Sequence, residues 1–254
     1  MGKIIAIVNQ KGGVAKTTTA INLAAALGLR GKQTLLVDLD PQGNASSGIG
    51  VDRRKVKHCV YDLLINGAPF EVVVQHTEYR NLDLIPATIQ LAGAEVELVS
   101  AISRENKLRR NLRPHKPFYD FIFIDCPPSL GLLTINALAA ADSLLVPLQC
   151  EYYALEGLTQ LLSTYELIRS NLNPELKIEG VVLTMFDART NLSSQVADEA
   201  RDYFGNKVYE TVISRSVRLS EAPSHGIPGI FYDQKARGAE EYQAFAEEFL
   251  TKQD

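Results

Sequence analysis

Short apolar runs separated by stretches with helical spacing restrict this chain to a narrow set of folds. The runs are Ile4–Val8, Thr34–Leu39, Leu82–Pro86, Phe121–Asp125, Ser143–Leu148, Ile178–Thr184 and Val208–Ile213. Several are apolar throughout instead of alternating with polar residues, as strands buried on both faces of a parallel sheet must be. Between them, Thr17–Arg30 is rich in Ala and Leu and stops at Gly31, a residue suited to the left-handed turn that ends a helix. Leu155–Asn171, Ser193–Phe204 and Ala239–Leu250 also read as helices. The last of these places Tyr242, Phe245, Ala246, Phe249 and Leu250 on one face. The alternation predicts an α/β fold, a doubly wound and mostly parallel sheet flanked by helices, with ligands at the carboxyl ends of the strands. No repeat or Pro/Gly-rich linker divides residues 1–254, so a single domain is expected.

The first of those carboxyl ends carries the densest chemistry. Lys11-Gly12-Gly13-Val14-Ala15-Lys16-Thr17-Thr18 follows the first run directly and opens the first helix. Glycines let backbone N–H groups turn inward onto phosphate oxygens, and the helix adds the positive end of its dipole. Lys16 is placed to reach the β- and γ-phosphates of a nucleotide, and the Thr17 hydroxyl to ligate Mg²⁺. Lys11 is not required by an ordinary phosphate loop. Two further strand ends carry carboxylates. Asp38 and Asp40, one residue apart in Val37-Asp38-Leu39-Asp40-Pro41-Gln42, point to opposite sides of the strand. Asp40 is chosen to position an attacking water, whereas Asp38 either faces the phosphates or caps the next turn. Phe121-Ile122-Phe123-Ile124-Asp125 is a Walker-B pattern, so Asp125 is expected to hold Mg²⁺, with Thr17 and Asp40 completing the metal side of the site.

Composition narrows the function classes. A 46% hydrophobic content fits a globular protein with a large core, and a formal charge of −4 means that any nucleic-acid contact must be a local patch. Cys59, Cys126 and Cys150 have neither paired nor metal-site spacing, which fits a reducing cytoplasm; Cys126 reads as a small buried filler. No leader is expected, and no apolar run approaches the roughly 20 residues that span a bilayer.

With the early lysine, the loop resembles the deviant Walker A motif of the ParA/MinD ATPases, and the resemblance is to the Soj/ParA branch. It extends through Asn9-Gln10-Lys11-Gly12-Gly13, Val37–Asn44, Ile85-Pro86-Ala87-Thr88, Asp125–Gly131, Gln149–Gly157, Asp187–Asn191 and Val217–Gly226. It implies an ATP-dependent homodimer in which Lys11 crosses the interface to the partner's ATP, Lys16 is the conventional phosphate lysine and Asp40 the catalytic aspartate. Glu151 is implied to lie near interface and nucleotide, and adenine near Met185–Asp187 and Ile213–Arg215, so that Met185, Asp187, Ile213 and Arg215 line the base. The family has Gly where this chain has Ala15. A methyl there crowds the phosphates if φ is positive; we expect the position to belong to the helix's first turn, where Ala is harmless.

The resemblance further implies non-specific DNA binding through Arg189 and Arg218, with Lys235 and Arg237 as weaker candidates, a ParB-type centromere-binding partner, crosstalk with DnaA, and a place in the cytoplasm on the nucleoid. Charge pattern alone would choose the run Arg104, Lys107, Arg109, Arg110, Arg113, Lys116 instead, although such runs are commonly solvated helix faces. The alternative is a MinD-like ATPase with a non-DNA cargo. Against a membrane-bound version, the polar face of the C-terminal helix carries Glu240, Glu241, Glu247 and Glu248, which anionic lipid repels. An iron–sulfur ATPase is disfavoured because Cys126 directly follows Asp125, and a tyrosine kinase because the tail holds only Tyr242.

Overall fold

The computed structural model describes residues 2–151 and 154–253; Tyr152 and Tyr153 of the Gln149–Gly157 stretch lie outside them. Among the described residues eight strands form one sheet: β1 (Lys3–Ile7), β2 (Thr34–Asp38), β3 (Gln75–His76), β4 (Leu82–Ile85), β5 (Phe121–Asp125), β6 (Ser143–Gln149), β7 (Lys177–Phe186) and β8 (Val208–Ser214). Their order is β3-β4-β2-β5-β1-β6-β7-β8. All neighbours are parallel except the two-residue edge strand β3, which runs antiparallel to β4. Each expected strand is present with boundaries shifted by a few residues at most, and β3 is the addition.

The period-2 geometry of a strand explains why the runs are apolar throughout. In β1, Ile4 and Ala6 enter one core, while Ile5 and Ile7 enter the other. Leu35 and Val37 against Leu36, and Ile122 and Ile124 against Phe123, repeat the division. Helices cover both faces: α1 (Lys16–Leu29), α2 (Asn44–Gly48), α3 (Lys107–Leu112), α4 (Leu132–Ala140), α5 (Ala154–Asn171), α6 (Asn191–Phe204) and α7 (Arg237–Thr251), with further short helices, Leu91–Glu97 among them, and turns between them.

Helix α1 is small-residue-rich because it is covered twice, by the sheet and by α7. Ala20, Leu23, Ala24, Ala26 and Leu27 are fully buried, and Thr19 Oγ1 lies 3.0 Å from the Tyr242 hydroxyl of α7. Its end is as expected, with Gly31 at φ 81°. The apolar stripe of α7 is consumed by this contact: Tyr242, Phe245, Ala246 and Phe249 are fully buried. Its acids have a structural use. Glu248 accepts the Glu210 and Thr211 amides at 2.8 Å, and Glu241 accepts the Ser214 amide at 2.7 Å. They satisfy N–H groups that the edge strand β8 would otherwise leave open. No helix among the described residues is long and apolar enough to cross a membrane.

Candidate functional site

The strand order places β1 between β5 and β6, with β2 on the far side of β5. The Gly-rich loop, the Asp38–Asp40 turn and Asp125 therefore emerge side by side; Asp38 and Asp125 are register neighbours. Thr17 Oγ1 donates to Asp125 Oδ2 at 2.8 Å, which ties the start of α1 to the tip of β5. A cavity of about 410 Å³ opens above, its walls including Gly12, Gly13, Lys16, Thr17, Asp40 and Met185. A Cβ placed on Gly12 or Gly13 would meet nothing within 4 Å, so the space over the loop is free.

Helix α1 begins without a side-chain cap and without an acid in its first turn. Its first amides thus keep their partial positive charge for a ligand, the arrangement that binds phosphate. Lys16 is buried, and its Nζ folds back over the loop to donate to the Lys11 carbonyl at 2.9 Å. Burial lowers its pKa, and Asp125, Cys126 and Asp40 oppose that shift. The loop is braced from below. Asn9 Oδ1 accepts the Lys11 amide, Asn9 Nδ2 donates to the Pro147 carbonyl, and Thr184 Oγ1 donates to the Val14 carbonyl. Asn9 and Thr184 were not singled out from the sequence; only Asn9's place in the quoted loop stretch pointed to it.

The carboxylates divide their work. Asp38 is fully buried and accepts the amide and hydroxyl of Ser46 at 2.8 and 2.6 Å and the Asp40 amide at 3.2 Å. It therefore holds the turn, the second of the two readings above. Burial pushes its carboxyl up to about 6; the Ser46 and Asp40 bonds pull down, and the Asp40 charge adds to the rise. Asp40 sits at the cavity wall with Oδ1 accepting the Gln42 amide at 2.8 Å. Asp125 is held well above the ordinary carboxylate range, first by burial and then by the Asp38 charge, while Thr17 and Lys16 pull it down. Its Oδ1 is buried with no hydrogen-bond partner among the described residues. An orphaned carboxylate oxygen beside a threonine hydroxyl, in a cluster of acids, fits a hard divalent cation. Among the described residues no group of three or more His, Cys, Asp or Glu would hold a metal alone. That suits Mg²⁺, which takes one or two carboxylates and completes its shell with phosphates and water.

Ala15 corrects the expectation. Its φ and ψ are 63° and 29°, left-handed, so it precedes the helix as its N-cap and is not part of the first turn. A Cβ in that region costs about 1–2 kcal/mol. Glycine would remove this cost but lose about 0.5–1 kcal/mol of chain entropy on folding. Ala15→Gly is expected to stabilise the fold by up to about 1.5 kcal/mol, a Tm rise of up to about 6 °C in calorimetry; a lower Tm would contradict the strain. Met185, also left-handed at φ 50°, is a second strained residue on the cavity wall.

The other expected residues are placed apart from the phosphate cavity. Lys11 Nζ turns away from its own loop to Glu151 at 3.2 Å, and Arg215 reaches the same carboxylate at 3.5 Å. Ile213 is buried in the core, so its side chain is spent on packing and leaves only backbone to a base. Asp187 is forked by Arg189 at 2.9 and 2.7 Å, which holds its carboxyl well below the usual range. Arg218 pairs with Glu221 at 2.9 Å and Asp233 at 3.4 Å, and Arg237 with Glu241 at 2.8 Å. Lys235 is exposed. A second cavity, of about 420 Å³, adjoins the other side of Thr17 and Thr18, with Asn22, Arg53, Leu219 and Ser224 in its wall.

A family model described as an AAA domain matches residues 2–178. The chain is 62% identical over 248 residues to the sporulation initiation inhibitor protein Soj of Bacillus subtilis, covering 98% of each chain. It is 56% identical over 252 residues to the chromosome partitioning protein ParA of Myxococcus xanthus, covering 99% of this chain and 89% of that one. A solved structure of a cobyrinic acid a,c-diamide synthase from Mycobacterium smegmatis, with bound ADP and magnesium, superposes with a TM-score of 0.85. It is 38% identical and the match covers 97% of this chain and 93% of that one.

Proposed function

Because the chain belongs to the Soj/ParA family of chromosome-partitioning ATPases, we propose that it is an ATP-driven dimerisation switch, built from residues 1–254 as one unit. In this reading the dimer binds DNA without sequence preference, and a ParB-type partner stimulates hydrolysis. The observation that carries it is the division between the two lysines. Lys16 is buried over its own loop, while Lys11 leaves the loop for Glu151.

Gly12 to Thr18 wrap the triphosphate with backbone amides, and Lys16 exchanges the Lys11 carbonyl for β/γ-phosphate oxygens. Thr17 and Asp125, with Asp40 nearby, would hold Mg²⁺, which would supply positive charge against the phosphates. Asp40 orients water against the γ-phosphorus. The new bond is from water oxygen to phosphorus, the bond to the β-phosphate bridging oxygen breaks, and ADP and phosphate leave. Lys11 exchanges Glu151 for the partner subunit's ATP. The pair it gives up is about a third to half exposed, with side-chain accessibilities of 34% and 45%, and such pairs are worth only about 0–1 kcal/mol. Closure is therefore conditional on a γ-phosphate being present to replace Glu151. Met185, Asp187, the Ile213 backbone and Arg215 serve the base, and Glu151 lies at the closing edge.

Arg189 and Arg218, with Lys235 and Arg237, contact DNA phosphates. Arg189, Arg218 and Arg237 keep 89%, 56% and 72% of their side chains exposed although each is paired, so a duplex can compete for them. The buried stripe of α7 supports this cargo over a membrane, because that face is already used in the core. Two patches in one dimer raise the effective affinity over a lone subunit. Duplex binding is expected to be much tighter with ATP than with ADP and to weaken steeply with salt. Arg189→Ala should lower the salt slope by roughly one unit for every sequence alike. Equal affinity in ATP and ADP would contradict the switch. DnaA is a second partner to test in the same assay.

A further inference from the structure

A patch of bases that the switch does not use lies on the amino edge of the sheet. Arg109, Arg110 and Arg113, with Asn106 and Pro114, line an open depression of about 530 Å³ along α3 and the turn after it. Arg109 and Arg113 also front a narrower recess shared with Lys116, Asp142 and Glu175. Ile4 and Asp142 in that recess stand at the starts of β1 and β6. The patch is therefore across the sheet from the phosphate loop.

Two features distinguish it from an ordinary solvated helix face. First, among the described residues Lys107, Arg109, Arg110 and Arg113 have no ion-pair partner, whereas Arg189, Arg218 and Arg237 are each paired. The nearby acids are committed elsewhere or outnumbered: Glu105 is with Arg104, Asp142 is with Lys116 and the Ile4 amide, and Glu175 is the second acid of the recess, facing Arg109, Arg113 and Lys116. Second, the arginines converge on one depression although the chain as a whole carries −4. Arginines in the last turn of α3 complement its dipole, but this leaves Arg113 and the shared depression unexplained.

We propose that this patch is a second surface for the phosphate backbone of duplex DNA, independent of nucleotide. Forked guanidinium groups suit phosphate oxygens, and a shallow open groove suits a rod more than an inserted side chain. Pro114 is the only apolar residue among those lining the depression. The inference goes beyond the ATP-dependent dimer and does not need it, since α3 lies away from the edge where Lys11 and Glu151 meet.

The test is fluorescence anisotropy of a short random-sequence duplex with the full chain, without nucleotide, across a salt series. Measurable binding at low salt is expected. The double variant Arg109→Ala/Arg113→Ala should flatten the slope of log affinity against log salt by roughly two units, which at 0.1 M salt is a loss of tenfold or more. Arg109→Lys/Arg113→Lys should keep the slope, which separates lost charge from lost fold. No nucleotide-free binding, or an unchanged slope in the Ala variant, would overturn the proposal. So would poly-glutamate binding as tightly as the duplex, which would assign the patch to acidic protein. Arg189→Ala should change only the increment added by ATP. Loss of that increment with an intact nucleotide-free signal separates failure of the switch from failure of this surface.

Discussion

Asp40→Ala is expected to lower ATP hydrolysis by about 100-fold or more while leaving ATP affinity within a few-fold, the range typical of a lost positioned acid–base group. The residue lies in the cavity wall at the tip of β2, and its Oδ1 is already oriented by the Gln42 amide at 2.8 Å. Its neighbour Asp38 cannot substitute. That carboxylate is fully buried and turned toward Ser46, with both oxygens engaged. Removing Asp40 therefore takes away the water-orienting group and leaves the loop, Lys16 and Thr17 in place. Phosphate release and equilibrium nucleotide binding, measured on the same preparation, separate the two effects. Retained hydrolysis would show that another group orients the water.

Lys16→Ala is expected to weaken ATP binding by about 100-fold or more. Removing one member of a desolvated charge pair commonly costs about 2–5 kcal/mol, and Lys16 is only 7% exposed. Its ammonium is also the cation nearest the acids: Asp125 and Asp40 both act on it in the nucleotide-free chain. Without it, the triphosphate would approach Asp38, Asp40 and Asp125 with less compensation. Titration calorimetry with ATP and Mg²⁺ measures the loss, and circular dichroism checks that the variant remains folded. Affinity near that of the unmodified chain would mean that the backbone amides alone hold the phosphates.

The strands were legible because a parallel strand buried on both faces has no polar positions to disguise it; Ile4 to Ile7 and Ile122 to Ile124 serve two cores at once. The loop and the strand-tip acids were legible because their chemistry is compressed into a few adjacent residues. Other features depend on tertiary placement. The left-handed backbone at Ala15 and Met185 is imposed by the braced loop and by the end of β7, and neither residue type announces it. Which partner a cation finds was equally hidden. Arg189 takes Asp187 two residues away, Lys11 takes Glu151 from another strand end, and among the described residues the α3 arginines find no ion pair. The two-residue strand β3 is too short to carry a pattern, and the acids of α7 read as a polar face although Glu241 and Glu248 cap β8.

In the proposed switch, nucleotide closes a dimer and hydrolysis opens it. Gel filtration with light scattering, in ATP and Mg²⁺, tests it on the unmodified chain, Asp40→Ala and Lys16→Ala. The expected result is a dimer that persists in Asp40→Ala, is absent in Lys16→Ala and is absent for every form in ADP. A monomeric Asp40→Ala saturated with ATP, or a dimer of Lys16→Ala, would contradict it.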